Sequence, residues 1–151
     1  MTKVFEDYFS ELQADMVDIC LEYVEDKATK IYIYCSDEEG FISSNFFYLI
    51  NGNIFKKHKI NDAIDSGSFR YDTSSERQSA VLNIINEDIM KIQDLCQEYK
   101  REMPTEMKLE YDVNKNSLNA QYRYDLVYSN DPEKTDDDMA NEWFEELKSQ
   151  M

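Results

Sequence analysis

Residues 30–57 read KIYIYCSDEEGFISSNFFYLINGNIFKK, and the period of this stretch decides the fold. From Lys30 onward, Ile31, Ile33 and Cys35 alternate with Tyr32 and Tyr34, which sends them to opposite faces of a strand. Asp37-Glu38-Glu39-Gly40 reads as a turn, and Phe41 to Ile50 as a second strand. Asn51-Gly52 is the strongest short-range signal for a type I′ hairpin, and it opens a third strand from Asn53 to Lys57.

On the N-terminal side the period is helical. Thr2 is a plausible N-cap, and Val4, Phe5, Tyr8, Phe9, Leu12, Met16, Ile19, Cys20 and Tyr23 follow at spacings of one, three and four. Glu6, Asp7, Glu11, Asp15, Asp18, Glu22 and Glu25 occupy the other face without basic compensation, so this helix depends on packing. On the C-terminal side, residues 58–73 are polar and read as a connecting loop, a candidate for mobility. Thr73-Ser74-Ser75-Glu76 has capping-box spacing and opens a long helix that keeps its period to about Arg101, with Pro104 beyond. Met107, Leu109, Tyr111 and Val113 alternate with charges. After Asn114-Lys115-Asn116, Leu118, Ala120, Tyr122, Tyr124 and Leu126 alternate on the return strand. Asp131-Pro132 breaks the chain, and Thr135 with Asp136-Asp137-Asp138 caps a last helix lined by Met139, Trp143 and Leu147. The expected fold is α+β: an antiparallel sheet of about five strands packed with three helices, in the order α-β-β-β-α-β-β-α. The 151 residues make one domain, 1–151, without a repeat or linker.

With 42% hydrophobic and 13% aromatic residues the chain folds despite its charge. That charge is −16, from 32 acidic and 16 basic residues, well beyond the magnitude of roughly 2–8 that keeps a small domain soluble. So negative a surface repels DNA, RNA and anionic membranes, and it attracts basic protein. Cys20, Cys35 and Cys96 include no CxxC pair and fall on apolar faces, as buried reduced thiols of a cytoplasmic protein do. The segment Met-Thr-Lys-Val-Phe-Glu-Asp has neither a signal-peptide nor a membrane-span pattern.

Catalytic signals are sparse. The one histidine, His58, sits in Lys56-Lys57-His58-Lys59, where neighbouring lysines oppose its protonation, and a solvated loop residue is the expectation. Three glycines, Gly40, Gly52 and Gly67, give no phosphate cradle. Asp136 to Asp138 lack the spacing and central glycine of a calcium loop. Carboxylates are too numerous for any pair to be singled out as acid and base. No catalytic residue, cofactor or metal is therefore expected.

Surfaces remain. Two acidic faces lack the interleaved lysine that a merely solvated helix uses for i,i+4 pairing. They are the outer side of the first helix and the last helix with its approach, Asp131 and Glu133 included. The expected partner contacts are Asp136, Asp137, Asp138, Glu142 and Glu145, then Glu22 and Glu25. Tyr32, Tyr34, Tyr48, Tyr122, Tyr124 and Tyr128 load the strands with rings expected to cover helices while their hydroxyls stay in water.

Lys30-Ile31-Tyr32-Ile33-Tyr34 after an acidic helix, Phe46-Phe47-Tyr48 on the next strand, the long helix ending near Tyr99, and the hairpin from Leu109-Glu110-Tyr111-Asp112 to Tyr122-Arg123-Tyr124-Asp125 span most of the chain. In these features it resembles the YezG-like antitoxin and immunity family, whose members protect bacteria against their own secreted or contact-delivered toxins, often nucleases. The resemblance implies an immunity protein whose carboxylates occlude the cationic groove of a cognate basic nuclease. One alternative is a nucleic-acid mimic that inhibits a restriction or defence nuclease. Another is a small enzyme or ligand-binding domain. Strand edges and surplus tyrosines leave a homodimer open.

Overall fold

In a computed structural model, which describes residues 4–64, 67 and 69–151, the N-terminal stripe forms α1 (Phe5–Tyr23). Thr2, the expected cap, lies outside the described residues. At the helix start the Asp7 carboxylate accepts the Val4 N–H at 3.0 Å. Strands β1 (Lys30–Glu38), β2 (Phe41–Ile50) and β3 (Asn53–Lys56) follow, then a 3-10 helix (Lys57–Ala63), α2 (Ser75–Glu98), β4 (Glu106–Asp112), β5 (Ser117–Arg123) and α3 (Asp136–Ser149). All strand pairs are antiparallel, in the order β3-β2-β1-β4-β5. This is the expected α+β order.

The alternation in β1 places it at the sheet centre, because both of its faces are apolar and both need cover. Ile31, Ile33 and Cys35, with Phe46, Tyr48, Met107 and Leu109, pack beneath α1 and α2. Tyr32, Tyr34, Phe47 and Ile54 pack on the opposite side against Ala140, Trp143, Phe144 and Leu147 of α3. The result is three layers, two helices over one face and one helix over part of the other. The three cysteines are buried free thiols.

Several boundaries differ from the sequence expectation. The first turn is shorter, because β1 runs to Glu38 and only Glu39 and Gly40 turn, with φ of 54° and 84°. Asn51 and Gly52, at 52° and 82°, repeat that left-handed pair, the geometry two-residue hairpins need. The expected loop at 58–73 begins instead as the 3-10 helix, pinned by the fully buried Ile60. The Asn61 side chain exchanges two hydrogen bonds with the Tyr71 backbone, at 2.7 and 3.1 Å. Asp65, Ser66 and Ser68, in the same stretch, lie outside the described residues. Ser74 rather than Thr73 caps α2, its hydroxyl accepting the Arg77 N–H at 3.2 Å. That helix ends before Arg101 because Lys100 takes φ 54° and the Arg101 N–H turns back to the Cys96 carbonyl. Buried tyrosine hydroxyls are not in water. Tyr48 donates to the Cys20 carbonyl at 2.6 Å, Tyr34 to Glu106 at 2.6 Å, and Tyr23 to the Lys57 carbonyl at 2.8 Å.

The return strand β5 stops at Arg123 instead of Leu126 because Glu38 claims the backbone that follows. Glu38 is 1% exposed, and its carboxylate accepts the N–H groups of Val127 (2.8 Å), Tyr128 (3.4 Å) and Ser129 (3.0 Å). Burial alone pushes this carboxyl up, but the backbone donors of Ser129 and Val127 win and hold it below the usual glutamate range. The charge therefore anchors the β5–α3 connection to the end of β1. Replacing Glu38→Gln sets an amide N–H₂ against backbone donors. We expect a loss of about 2–3 kcal/mol in urea unfolding at neutral pH. A depressed carboxyl stabilises above its unfolded value and loses that contribution as pH falls, so the wild-type advantage shrinks below about pH 4.

Candidate partner-binding surface

Helices α1 and α2 lie antiparallel over the sheet, so residues from opposite ends of the chain's first hundred positions meet along one seam. Arg101 bonds Glu6 at 3.0 Å, the rings of Tyr8 and Tyr99 lie 6.5 Å apart, Asp15 meets Asp88, and Arg77 stands 3.9 Å from Glu22. The 19 residues of α1 include Glu6, Asp7, Glu11, Asp15, Asp18 and Glu22 and no lysine or arginine. Its neighbour α2 adds Glu76, Glu87, Asp88, Asp94 and Glu98, relieved by Arg77 and Lys91.

At the end of the seam formed by the start of α1 and the end of α2 there is a shallow groove of about 290 Å³, lined by Tyr8, Glu11, Leu12, Lys91, Asp94, Leu95 and Glu98. Leu12, Leu95 and Tyr8 give it apolar lining, and its charged residues are three carboxylates against the one ammonium of Lys91. Tyr8 (37%) and Tyr99 (38%) stay exposed beside it, as does Met90 on the same helix pair. Exposed aromatic rings within a ring of charge are the composition of a protein interface: large amphipathic anchors surrounded by groups that steer a partner of opposite sign.

The negative field along the seam leaves a mark in the interior. Asp88 is 1% exposed. Its carboxyl is pushed up to about 8, first by burial and then by the hydrogen bond and charge of Asp15. Burial beside a second carboxyl group thus favours the protonated form of Asp88 at neutral pH.

The seven carboxylates expected from sequence do not converge. Asp138 closes a capping box, its carboxylate accepting the Thr135 N–H at 3.0 Å while Thr135 Oγ1 accepts the Asp138 N–H at 3.2 Å. Asp136 accepts from the Ser43 hydroxyl. Asp137 shares a cleft with Asn45, Lys56, Lys57, His58 and Asn141 and so faces the basic run. His58 there is held below its ordinary value by burial and then by Lys57 and Lys59. Glu142 pairs with Lys134 at 3.4 Å, and Glu145 is exposed. Glu22 lies at the far end of the α1–α2 seam. Glu25 lies past the end of α1 in a left-handed conformation, φ 50°. The first turn of α3 is thus occupied with its own cap and with β2, while Glu11, Asp94, Glu98, Tyr8 and Tyr99 form the surface that the sequence did not group. Tyr8 and Tyr99 close the apolar stripes of their helices, and only the antiparallel pairing of those helices brings them together.

A further cleft, about 490 Å³, lies between α3 and the part of the sheet it leaves uncovered, lined by Lys108, Glu110, Asn119, Gln121, Trp143, Glu146 and Gln150 among others. Lys30 binds Glu110 there at 3.1 Å, and Lys108 stands 5.7 Å above the Trp143 ring, so its central charges are already engaged. Among the described residues no three His, Cys, Asp or Glu side chains are placed to hold a metal ion. No described helix is long and apolar enough to cross a membrane. The sequence matches no protein-family model and no curated protein.

Proposed function

We propose that this chain is an immunity protein: it binds a cognate toxin domain, a basic nuclease, and neutralises it by laying a carboxylate-rich surface over the groove that would hold nucleic-acid phosphates. The observation that carries the reading is the α1–α2 seam, where Glu11, Asp94 and Glu98 outnumber Lys91 in a groove that Tyr8 lines, with the Tyr99 ring 6.5 Å from that of Tyr8. A net charge of −16 speeds capture of a basic partner by about 10–10³-fold. The aromatic pair supplies contact area that charge alone does not, and it explains how one partner is held rather than any cationic surface. The resemblance to YezG-like immunity proteins supports the same reading, which places the protein in the cytoplasm that it protects.

Affinity capture from the source organism at low and high salt, followed by a nuclease assay on what is retained, tests this. The expected result is one basic partner, released by salt, whose nuclease activity is inhibited by the chain. Tyr99→Ala should raise the Kd by about 10–100-fold. Asp94→Lys with Glu98→Lys should slow association, and Glu145→Lys should do neither. Capture of no basic partner, or binding indifferent to salt and to these substitutions, overturns the proposal. Inhibition of many unrelated DNA-binding enzymes would point to a nucleic-acid mimic instead.

A further inference from the structure

The two edges of the sheet are protected very differently. Edge strand β3 has four residues and ends in Lys56, followed by Lys57. Shortness and lysine are how proteins blunt an edge against pairing with another chain. Edge strand β5, SLNAQYR, has seven residues with no proline, lysine or carboxylate.

Its backbone is turned outward in register. Beyond the paired strands the Val113 N–H bonds the Thr29 carbonyl. In an antiparallel ladder this makes odd-numbered β4 residues bond β1 and even-numbered ones bond β5. With Glu106 opposite Arg123 and Asp112 opposite Ser117, Ser117, Asn119, Gln121 and Arg123 then bond inward. Leu118, Ala120 and Tyr122 present their N–H and C=O groups at the open edge.

We infer that β5 is a homodimerisation edge, pairing antiparallel with β5 of a second copy about Ala120 to give one continuous ten-stranded sheet. The strand is self-complementary in that register. Ala120 meets Ala120 of the second copy, and Leu118 meets Tyr122, on the face covered by α1. Asn119 meets Gln121, amide to amide, on the other face. Ser117 meets Arg123, with Asp112 one strand further in. Carried one turn past the strand ends, the register sets Lys115 against Asp125.

Charge selects a second copy over the basic partner proposed above. The strand itself offers a cationic strand no carboxylate, and the acids beside it are largely paired within the chain: Asp125 with Arg123 at 2.9 Å and Glu110 with Lys30 at 3.1 Å, leaving Glu146 across the cleft from Asn119 and Gln121. On the α1 side Asp18 lines a small cleft with Ala14, Val17 and Leu118. Repulsion between two chains of −16 is screened by salt, so salt strengthens this contact while it weakens binding to a basic partner.

Sedimentation velocity and light scattering on the purified chain, across concentration and salt, test the inference without any toxin. The expected species has twice the 17.9 kDa chain mass and gains population as salt rises. Asn119→Glu with Gln121→Glu sets like charges opposite each other twice and should weaken the dimer by about 10–100-fold. Asn119→Lys with Gln121→Glu sets opposite charges in both places and should restore it. Circular dichroism should show all three chains equally folded, since both positions are exposed. A monomer at every concentration and salt, or a dimer indifferent to the double-glutamate variant, overturns the inference. So does a failure of the Lys/Glu variant to recover.

Discussion

Replacing Asp88→Asn should stabilise the protein, and by more as pH rises. The wild-type carboxyl has a folded value raised to about 8, against about 3.9 in an unfolded chain. Below about pH 4 both states hold the proton and the group costs nothing. Between about pH 4 and 8 the unfolded state releases it while the native state keeps it, so wild-type stability falls as pH rises through this range. Above about pH 8 the native group ionises too and the cost levels off at a few kcal/mol. The cause is specific: Asp88 lies between α2 and its neighbours, beside Asp15, with Glu87 adding to the repulsion and Lys91 offsetting part of it. Among the described residues no hydrogen-bond partner reaches its Oδ2, so the ionised form is offset only in part, by Lys91. An asparagine has nearly the same shape and can still donate to Asp15. Melting curves of wild type and variant should nearly coincide at about pH 4 and separate steadily up to about pH 8. Parallel curves would mean that the Asp88 carboxyl is not raised in the folded chain.

The second large effect is expected at Trp143. Its indole lies edge-on to Tyr32 (5.8 Å, 89°) and Phe47 (5.7 Å, 65°), 6.3 Å from Tyr34, and under the Lys108 ammonium. Phe144 adds a further edge contact to Phe47 at 5.3 Å. Nearly everything that holds α3 to the sheet passes through this one cluster. Trp143→Ala should cost about 3–5 kcal/mol. Because α3 contributes only this face, hydrogen exchange should show α3 opening while α1, α2 and the central strands stay protected. Trp143→Phe keeps part of the ring contact and should cost less than half as much. Uniform loss of protection across the sheet would show α3 to be integral to the cooperative core.

The strand alternation at Ile31–Cys35 and the two-residue hairpin at Asn51-Gly52 were legible in the sequence, as was the order of all eight major elements. These are local signals: a period of two, a period of three to four, and turns that demand positive φ. Boundaries failed where a distant residue intervened. Glu38 shortens β5 through three backbone bonds to residues some ninety positions away. Ile60 and Asn61 convert an expected loop into an ordered turn by burial and pairing. Neither leaves a periodic trace.

For the candidate surface the excess of acid was legible and its grouping was not. Asp136, Asp137 and Asp138 are adjacent in sequence, yet the helix start separates them into a contact to Ser43, a contact to the basic cleft and a cap. Glu11 and Glu98 are far apart in sequence and line one groove. Sequence by itself determined the element order, the alternation of the Lys30–Cys35 strand and the sign of the field. The tertiary structure alone decided which carboxylates stand together, which one keeps its proton and which strand edge stays open. Each of those depends on distances between segments that no local period encodes.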